Sequence, residues 1–410
     1  MHEYNPLDGL GSQPAPGFGA KTPQALGLSL RWRSGGVGHL DCRIVPRPGA
    51  TSQSPGLGEL FGDAASGRPL KKAIAPGELL PEWNEGLLRS VPAGFFQRTQ
   101  GRITVQPRAG RFYPGRFLAG APGVPAGSTA FRVAAISPDG VMSVDFNHPL
   151  AGIDLELELR VVNSDPPGSP PGDLGRAAVM NGPGMQARWR DQPTDFLAGD
   201  ALARADDGPD SAFYAAPRMV QHLDDAAVER IRHLYRRQLP EGGVILDLMS
   251  SWTSHLDPEL APQRVAGLGM NADELAANPV LTERVVHDLN TDPRLPWPDA
   301  SFDAVICTVS VEYLASPVEI FREVLRVLRP GGRFVATFSN RWFPPKAIAV
   351  WAELHEFERM GLVLEFFLRA GGFTGLGTCS LRGLPRPPGD RYAERLAASD
   401  PVYAVWGEAR

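Results

Sequence analysis

From about residue 213 onwards, short apolar runs alternate with segments that have the periodicity of a helix. Residues 244–246, 302–308 and 333–338 are apolar runs of strand length. Repeated strand–helix–strand order predicts a parallel, doubly wound α/β sheet with right-handed crossovers. A sheet of this kind binds its ligands beyond the carboxyl ends of its strands. The search for function therefore starts at those strand ends.

Capping residues mark where the intervening helices begin. Asp224 precedes a segment with one apolar face, and Asn271 with Glu274 forms the pattern of a capping box. Ser316 is followed by Pro at the first helical position, and that helix is predicted to end at the Pro330-Gly-Gly332 breaker. These signals place the helices between the predicted strands.

Composition excludes several classes of function. The net charge of −5 lacks the basic surplus of a dedicated nucleic-acid binder. Cys42, Cys307 and Cys379 have no paired spacing, so neither a disulfide framework nor a zinc site is expected. No apolar run approaches the length of a membrane span, and no signal pattern opens the chain. We expect a cytoplasmic protein with neither nucleic acid nor membrane as partner.

Glycine and proline divide the chain unevenly. Residues 1–23 predict a flexible lead-in, and residues 24–162 show short alternating stretches typical of a β-rich unit. The turn Ser137-Pro-Asp-Gly140 predicts a hairpin there. Residues 163–212 predict a Pro/Gly-rich linker, parts of which could pack on a domain through scattered large side chains. Residues 213–410 form the α/β domain.

Three segments at predicted strand ends carry a more specific signal. They cover residues 244–251, 286–290 and 295–332, the last running from Leu295-Pro-Trp-Pro to Arg-Pro-Gly-Gly332. In these segments the chain resembles class I S-adenosylmethionine-dependent methyltransferases, of the type 11 group with a divergent first motif. The resemblance implies a Rossmann-like, seven-stranded doubly wound sheet, closed by an antiparallel strand near residues 401–406, and S-adenosylmethionine as cofactor.

The same resemblance implies a set of cofactor-binding residues. Asp247 would lie near the methionine amino group, Asp288 would accept a hydrogen bond from the adenine amine, and Leu289 would flank the ring. Ser310 would lie near the reacting centre. The full predicted set is Asp247, Met249, Ser250, Ser251, Gly269, Met270, Asn271, Asp288, Leu289 and Ser310.

Two departures from the family pattern put cofactor binding in question. The loop after Asp247 lacks the family's G-x-G glycines and reads Met-Ser-Ser instead. Gly269 stands where the family has the acid that takes the ribose hydroxyls. Asn271 could supply a weaker hydrogen bond there, although its role as a helix cap is the simpler interpretation. The alternatives are a cofactor-binding enzyme and a pseudoenzyme.

Catalytic groups are less well marked. Glu312 and Tyr313 follow a predicted strand where acid–base groups would face the methyl group; the alternative, which we favour, is that Tyr313 packs and Glu312 is solvated. His255 and His287 have no second ligand at helical spacing, so we predict no metal site. The methyl acceptor is unknown.

The β-rich unit carries a second resemblance. The string from Val144-Asp-Phe-Asn-His-Pro to Ile-Asp-Leu155 is similar to FKBP-type peptidyl-prolyl isomerases of the SlyD kind, and Pro55–Leu60 fits more loosely. The resemblance implies an α+β domain that binds peptide or unfolded chain. Its pocket would be represented by Asp41, Leu80 and Leu157, of which the last two replace aromatic residues of the family.

The leading hypothesis is therefore a methyltransferase-like domain fused to an eroded FKBP-type domain. The competing hypothesis is a non-catalytic, chaperone-like binding protein built from two degenerate enzyme folds. A third is a working peptidyl-prolyl cis–trans isomerase.

Overall fold

The computed structural model describes residues 4–8, 10, 24–46, 69–100, 103–125, 127–168 and 182–410. Most of the predicted lead-in, the stretch Pro55–Leu60 and part of the predicted linker lie outside these residues. The strands are β1 Gln24–Ser34, β2 Val37–Pro46, β3 Leu70–Ile74, β4 Leu88–Pro92, β5 Thr99–Gln100, β6 Ile103–Thr104, β7 Phe112–Pro114, β8 Ala130–Ile136, β9 Val141–Asp145, β10 Leu155–Asn163, β11 Val244–Leu248, β12 Arg264–Gly269, β13 Glu283–Val286, β14 Phe302–Thr308, β15 Leu328–Phe338, β16 Phe373–Arg382 and β17 Val402–Ala409. The helices are α1 Asp210–Phe213, α2 Asp225–Gln238, α3 Ala272–Ala277, α4 Pro317–Val327, α5 Ala349–Glu353 and α6 Glu356–Ala370.

Seven strands of the C-terminal part run in the order β13-β12-β11-β14-β15-β17-β16. The first five are parallel, and β17 is antiparallel to both of its neighbours. The fold is Rossmann-like, and the predicted seven-stranded doubly wound sheet with an antiparallel closing strand is confirmed. Helix α2 packs on one face of this sheet and α4 and α6 pack on the other.

Four of the N-terminal strands join the C-terminal sheet. β2 pairs in parallel with β16, and β1, β10 and β3 follow, so that one sheet of 11 strands results. Of the remaining N-terminal strands, four form a separate sheet in the order β4-β9-β8-β7, and β5 pairs with β6. The 11-stranded sheet therefore contains strands from both sides of the predicted domain boundary at residues 162/163. The edge of β16 offers free backbone groups, and β2 satisfies them.

The four-stranded sheet is held against helix α6 by buried polar contacts. The backbone N–H of Phe112 donates to Glu358 at 2.8 Å, and Arg111 forms an ion pair with Glu353 of α5 at 3.0 Å. From the predicted linker, Arg188 pairs with Glu365 at 2.6 Å, and Phe196 is buried. Residues 182–212 are thus packed structure, as the scattered large side chains indicated, and the prediction of a linker there is corrected.

Some of the predicted capping and turn signals are confirmed, and others are not. Asp224 caps α2 by accepting from Ala227, and the hairpin turn at Gly140 has the expected positive φ of 78°. Helix α4 begins at Pro317 without a side-chain bond from Ser316. It ends at Val327 because the chain passes directly into β15, before the Pro-Gly-Gly breaker is reached.

Candidate functional site

A cleft with ≈ 1180 Å³ of empty space lies at the carboxyl ends of β11, β12 and β14. All 10 residues of the predicted cofactor set line it: Asp247, Met249, Ser250, Ser251, Gly269, Met270, Asn271, Asp288, Leu289 and Ser310. Tyr313 also lines it, whereas Glu312 does not. The strand ends therefore bring together residues from four separate stretches of sequence.

The loop after β11 replaces the missing glycine with a strained residue. Met249 has a φ of 58°, a left-handed conformation that costs a residue with a Cβ about 1–2 kcal/mol. The next residue, Ser250, donates its backbone N–H to Leu268 at 2.7 Å, which draws the loop onto β12. The loop thus turns as a glycine loop would, although it contains no glycine.

Gly269 is required by the same close approach. A Cβ on Gly269 would come within 2.2 Å of the backbone oxygen of Ser250. No side chain, acidic or otherwise, fits at this position while the loop keeps its course. The absence of the family's ribose acid at residue 269 therefore follows from the path of the Met249–Ser251 backbone.

Asp247 is the penultimate residue of β11 and carries a buried carboxylate. It is 2% exposed, and Ser250 donates its hydroxyl to it at 2.6 Å. Burial raises the pKa of Asp247 to about 6, although hydrogen bonds from Ser250 and Ser254 act in the opposite direction. Within the residues that the structure describes, no cationic side chain forms an ion pair with this carboxylate, and it is the kind of group that accepts from an ammonium.

Glu274 is a cleft residue that the sequence interpretation missed. Its carboxylate accepts from the hydroxyl of Ser251 at 2.5 Å and from the backbone N–H of Arg218 at 2.7 Å. Neither bond is the reciprocal one to Asn271 that a capping box requires, so the predicted box is only half formed. The Glu at the third helical position was the available signal, and it was assigned to helix capping alone.

Asn271 acts as the helix cap. Its side-chain oxygen accepts from the backbone of Asp273 and Glu274, and its amide nitrogen donates to the carbonyls of Tyr214 and Ala215 at 2.9 and 3.0 Å. All hydrogen-bonding capacity of the amide is used. The prediction of a ribose contact from this side chain is therefore wrong.

Asp288 and Leu289 follow β13 and complete the far end of the cleft. The carboxylate of Asp288 accepts from the backbone of Asn290 at 3.0 Å and from the hydroxyl of Thr291 at 2.8 Å, and each oxygen keeps further acceptor capacity. Leu289 is 4% exposed and gives this end an apolar wall. Asn290 ties the loop to Tyr313 and Asp210 through its amide nitrogen.

The two predicted acid–base residues point to different places. Tyr313 lines the cleft, and its hydroxyl accepts from the backbone N–H of Phe343 at 2.9 Å. Glu312 is fully buried away from the cleft, so the expectation that it is solvated is wrong. Its oxygens have no hydrogen-bond partner within the described part of the chain, and burial raises its pKa to about 8. Ser310 donates to the carbonyl of Thr308 at the mouth of β14.

The segment before α2 supplies lining residues that sequence interpretation did not identify. Tyr214, Arg218, Val220 and His222 lie over the cleft, and Phe343 reaches it from beyond β15. The indole of Trp252 donates to the carbonyl of Val220 at 3.3 Å, which directs this large side chain toward the covering segment.

The three residues of the predicted prolyl pocket lie in two different surroundings. Asp41 is 2% exposed and accepts from Ser380 at 2.6 Å and from Arg382 at 2.8 Å, both on β16. Leu157 is buried in the apolar cluster of β1 and β10, and Leu80 packs against that cluster. The carboxylate of Asp41 serves the junction between β2 and β16.

Among the described residues, no group of three or more His, Cys, Asp and Glu side chains is placed to hold a metal ion. Within the same residues, no helix has the length and apolar character needed to cross a membrane.

Comparison with known proteins finds a family similarity in the part of the chain that builds the cleft. Residues 252–336 match the sequence model of a family described as "Methyltransferase domain". This stretch of the C-terminal part is therefore similar to methyltransferase domains. The match covers β12 to β15 and supports S-adenosylmethionine as the cofactor.

Curated relatives share only part of this region. A demethylmenaquinone methyltransferase of Deinococcus radiodurans is 35% identical over 112 residues, which cover 26% of this chain and 43% of that protein. A 27-O-demethylrifamycin SV methyltransferase of Amycolatopsis mediterranei is 39% identical over 62 residues, covering 15% and 23%. The chain thus spans less than half the length of these relatives. A solved S-adenosylmethionine-dependent methyltransferase from Aquifex aeolicus is 15% identical with a TM-score of 0.31, covering 46% of this chain and 92% of that one.

Proposed function

We propose that the chain binds S-adenosylmethionine in the cleft and transfers its methyl group to an acceptor. The observation that carries the proposal is the order of three carboxylates. Asp288 follows β13, Glu274 follows β12 and Asp247 lies in the last two residues of β11, and these strands are neighbours in the sheet. The cofactor carries an adenine amine, two ribose hydroxyls and a methionine ammonium in the same order, and each is a donor that a carboxylate accepts.

Glu274 would take the role that Gly269 cannot. Each of its oxygens accepts one hydrogen bond within the protein, which leaves a second acceptor site on each for the ribose hydroxyls. The carboxylate reaches the cleft from the first turn of α3, one element later than the family's acid. A ribose acceptor supplied by Glu274 in place of an acid at residue 269 favours an active cofactor site over a pseudoenzyme.

When bound, the cofactor supplies an electrophilic methyl group on a sulfonium. The protein's part is to hold that group against the acceptor, since methyl transfer depends on in-line positioning. Asp247 would orient the methionine end, and Ser250 and Ser251 would lie beside its carboxylate. Leu289 would wall the adenine ring, and Ser310 would lie near the methyl group.

Calorimetric titration with S-adenosylmethionine and S-adenosylhomocysteine tests the proposal. We expect binding by the intact chain, and an affinity lower by about tenfold or more in Asp288→Ala and Glu274→Gln, because each change removes a charged acceptor. Asp273→Asn is the matched control, since Asp273 is an exposed neighbour of Glu274 on the same helical turn. Absence of heat at high micromolar ligand would overturn the proposal, and unchanged affinity in both variants would overturn the placement.

The isomerase resemblance of the N-terminal strands stays a prediction. It predicts that the protein accelerates refolding limited by proline isomerisation, and that Leu80→Tyr increases the effect. If neither protein accelerates refolding, the isomerase hypothesis fails and leaves the methyltransferase proposal untouched.

A further inference from the structure

The cleft has a second, aromatic part beyond the proposed cofactor site. Phe343 is at its centre: its ring centroid lies 5.9 Å from that of Tyr313 in a stacked arrangement and 5.2 Å from that of His222 in an edge-on arrangement. Phe213 packs edge-on to Phe343 at 5.8 Å and to Tyr214 at 4.9 Å. Four of these five rings line the cleft, Phe213 being the exception. Flat aromatic walls of this kind favour a flat, apolar guest.

The charge of this part is opposite to that of the proposed cofactor site. The guanidinium of Arg218 lies over Phe213 at 4.6 Å and near Phe343 at 5.5 Å, and Arg391 donates to the carbonyl of Gln221 at 3.5 Å. The acid on this side, Asp210, is already paired with Arg204 and Lys346. The aromatic part is therefore positive, while Asp247, Glu274 and Asp288 make the other part negative.

His222 is the proton acceptor that this part offers. Its imidazole is exposed in the cleft, and within the described part of the chain no hydrogen bond to either ring nitrogen is formed. Desolvation, Arg391 and Arg218 lower the pKa of His222, and Glu274 acts in the opposite direction. The ring is therefore neutral, with a free lone pair, at neutral pH. The alternatives are poorer, because Tyr313 already accepts from the backbone and Glu312 lies outside the cleft.

We propose that the aromatic part binds the methyl acceptor, that the acceptor is a planar aromatic molecule with an acidic hydroxyl group, and that His222 takes its proton. In the step, the O–H bond breaks and the proton passes to an imidazole nitrogen of His222. The oxygen electron pair forms the new O–CH₃ bond while the S–CH₃ bond breaks, and its electrons return to sulfur, which becomes a neutral thioether. Arg218 and Arg391 stabilise the negative charge that develops on the oxygen.

This inference rests on the proposed function, because the hydroxyl must meet a methyl donor. It also excludes other acceptors. A protonated amine would be repelled by Arg218 and Arg391, and an aliphatic alcohol would gain little from the rings and would not release its proton to an imidazole.

The test uses 4-nitrophenol, whose phenolate absorbs visible light, with protein saturated by S-adenosylhomocysteine. We expect the bound probe to be ionised at a lower pH than the free probe. In His222→Gln the ionised fraction at a given pH should fall toward that of free probe, with binding kept within about threefold. In Phe343→Leu binding should weaken by about tenfold, because a stacking ring is lost. His233→Gln, on α2 outside the cleft, is the matched control and should behave as wild type.

Two results would overturn the inference: 4-nitrophenol that does not bind the loaded protein, or a bound probe whose ionisation is the same in wild type and His222→Gln. Either result leaves the proposed function standing if S-adenosylhomocysteine binds. If S-adenosylhomocysteine itself does not bind, the proposed function fails first.

Discussion

The 11-stranded sheet has two halves that were assembled by different means. Strands β13, β12, β11, β14 and β15 are parallel, and their loops build the cleft. Strands β17, β16, β2, β1, β10 and β3 form a mixed half whose central joint, β16 to β2, links residues about 340 positions apart, such as Ser380 and Asp41. In the parallel half, many of the residues that line the cleft lie within a few positions of the strand ends. The mixed half gains its stability from a long-range pairing, and the functional residues are concentrated in the first half.

Breaking the joint should have the largest effect. Asp41→Ala removes the acceptor of Ser380 and Arg382 at a site where the carboxylate is 2% exposed. We expect a loss of about 3–5 kcal/mol in the free energy of unfolding, because Arg382 is left charged without its partner. Urea denaturation measures the change. Glu156→Ala, at the looser surface pairs with Arg31 and Lys71, should cost at most about 1 kcal/mol.

The same experiment tests whether the halves fold as one. We expect a single transition in wild type, because β2 and β16 share hydrogen bonds along their length. Two separated transitions in the wild-type protein would show that the N-terminal strands are an independent unit, as the sequence had predicted.

This contrast explains what the sequence could and could not predict. Parallel strands and their helices are encoded by local patterns, so β11, β14 and α2 were predicted from residues within a few positions of each other. The closing strand β17 was implied by the family resemblance. The pairing of β2 with β16 leaves no local pattern, since an alternating strand pairs with any suitable edge. The β-rich stretch was therefore identified correctly as strands, whereas the sharing of one sheet by four of them with the C-terminal part was not predicted.

A pH titration sharpens the chemistry of the parallel half. The pKa of Asp247 is raised to about 6, so its carboxylate becomes protonated just below neutral pH. The neutral carboxyl group then has no charge with which to attract an ammonium group. We expect the dissociation constant of S-adenosylhomocysteine to rise by about tenfold for each pH unit below 6. Calorimetry between pH 5 and pH 8 measures this, and Asp247→Asn should bind weakly at every pH. A flat profile in wild type would contradict the assignment.

The stability of the empty protein should change in the opposite direction. The folded-state pKa of Asp247 lies above the unfolded value of about 4, so the folded state binds the proton more tightly and gains stability as the pH falls from about 6 to about 4. Asp247→Asn should therefore raise the free energy of unfolding at neutral pH while it weakens cofactor binding.

Within the cleft, the residues that sequence could place are those directly at strand ends. The family resemblance implied Asp247, Asp288 and Ser310, whereas it did not reach Glu274, because a Glu at the third helical position also fits a capping box. Its real bonds run to Ser251 and to the backbone of Arg218, and only the folded path of the covering segment reveals them. His222 and Phe343 were missed for the same reason, since each reaches the cleft from an irregular segment.

The smallest expected effect concerns the loop that departs from the family pattern. Met249→Gly relieves a left-handed backbone that costs about 1–2 kcal/mol, and this gain is offset by the greater flexibility of glycine in the unfolded chain and by lost side-chain contacts. We expect the free energy of unfolding to change by no more than about 1 kcal/mol, with cofactor binding retained. Gly269→Ala is the contrasting variant: its Cβ meets the Ser250 oxygen, so it should cost about 1–3 kcal/mol and weaken binding. If Met249→Gly were instead the more damaging of the two, the methionine side chain would be the group that shapes the loop. The Met-Ser-Ser sequence would then be required by this cleft, and a glycine loop could not replace it.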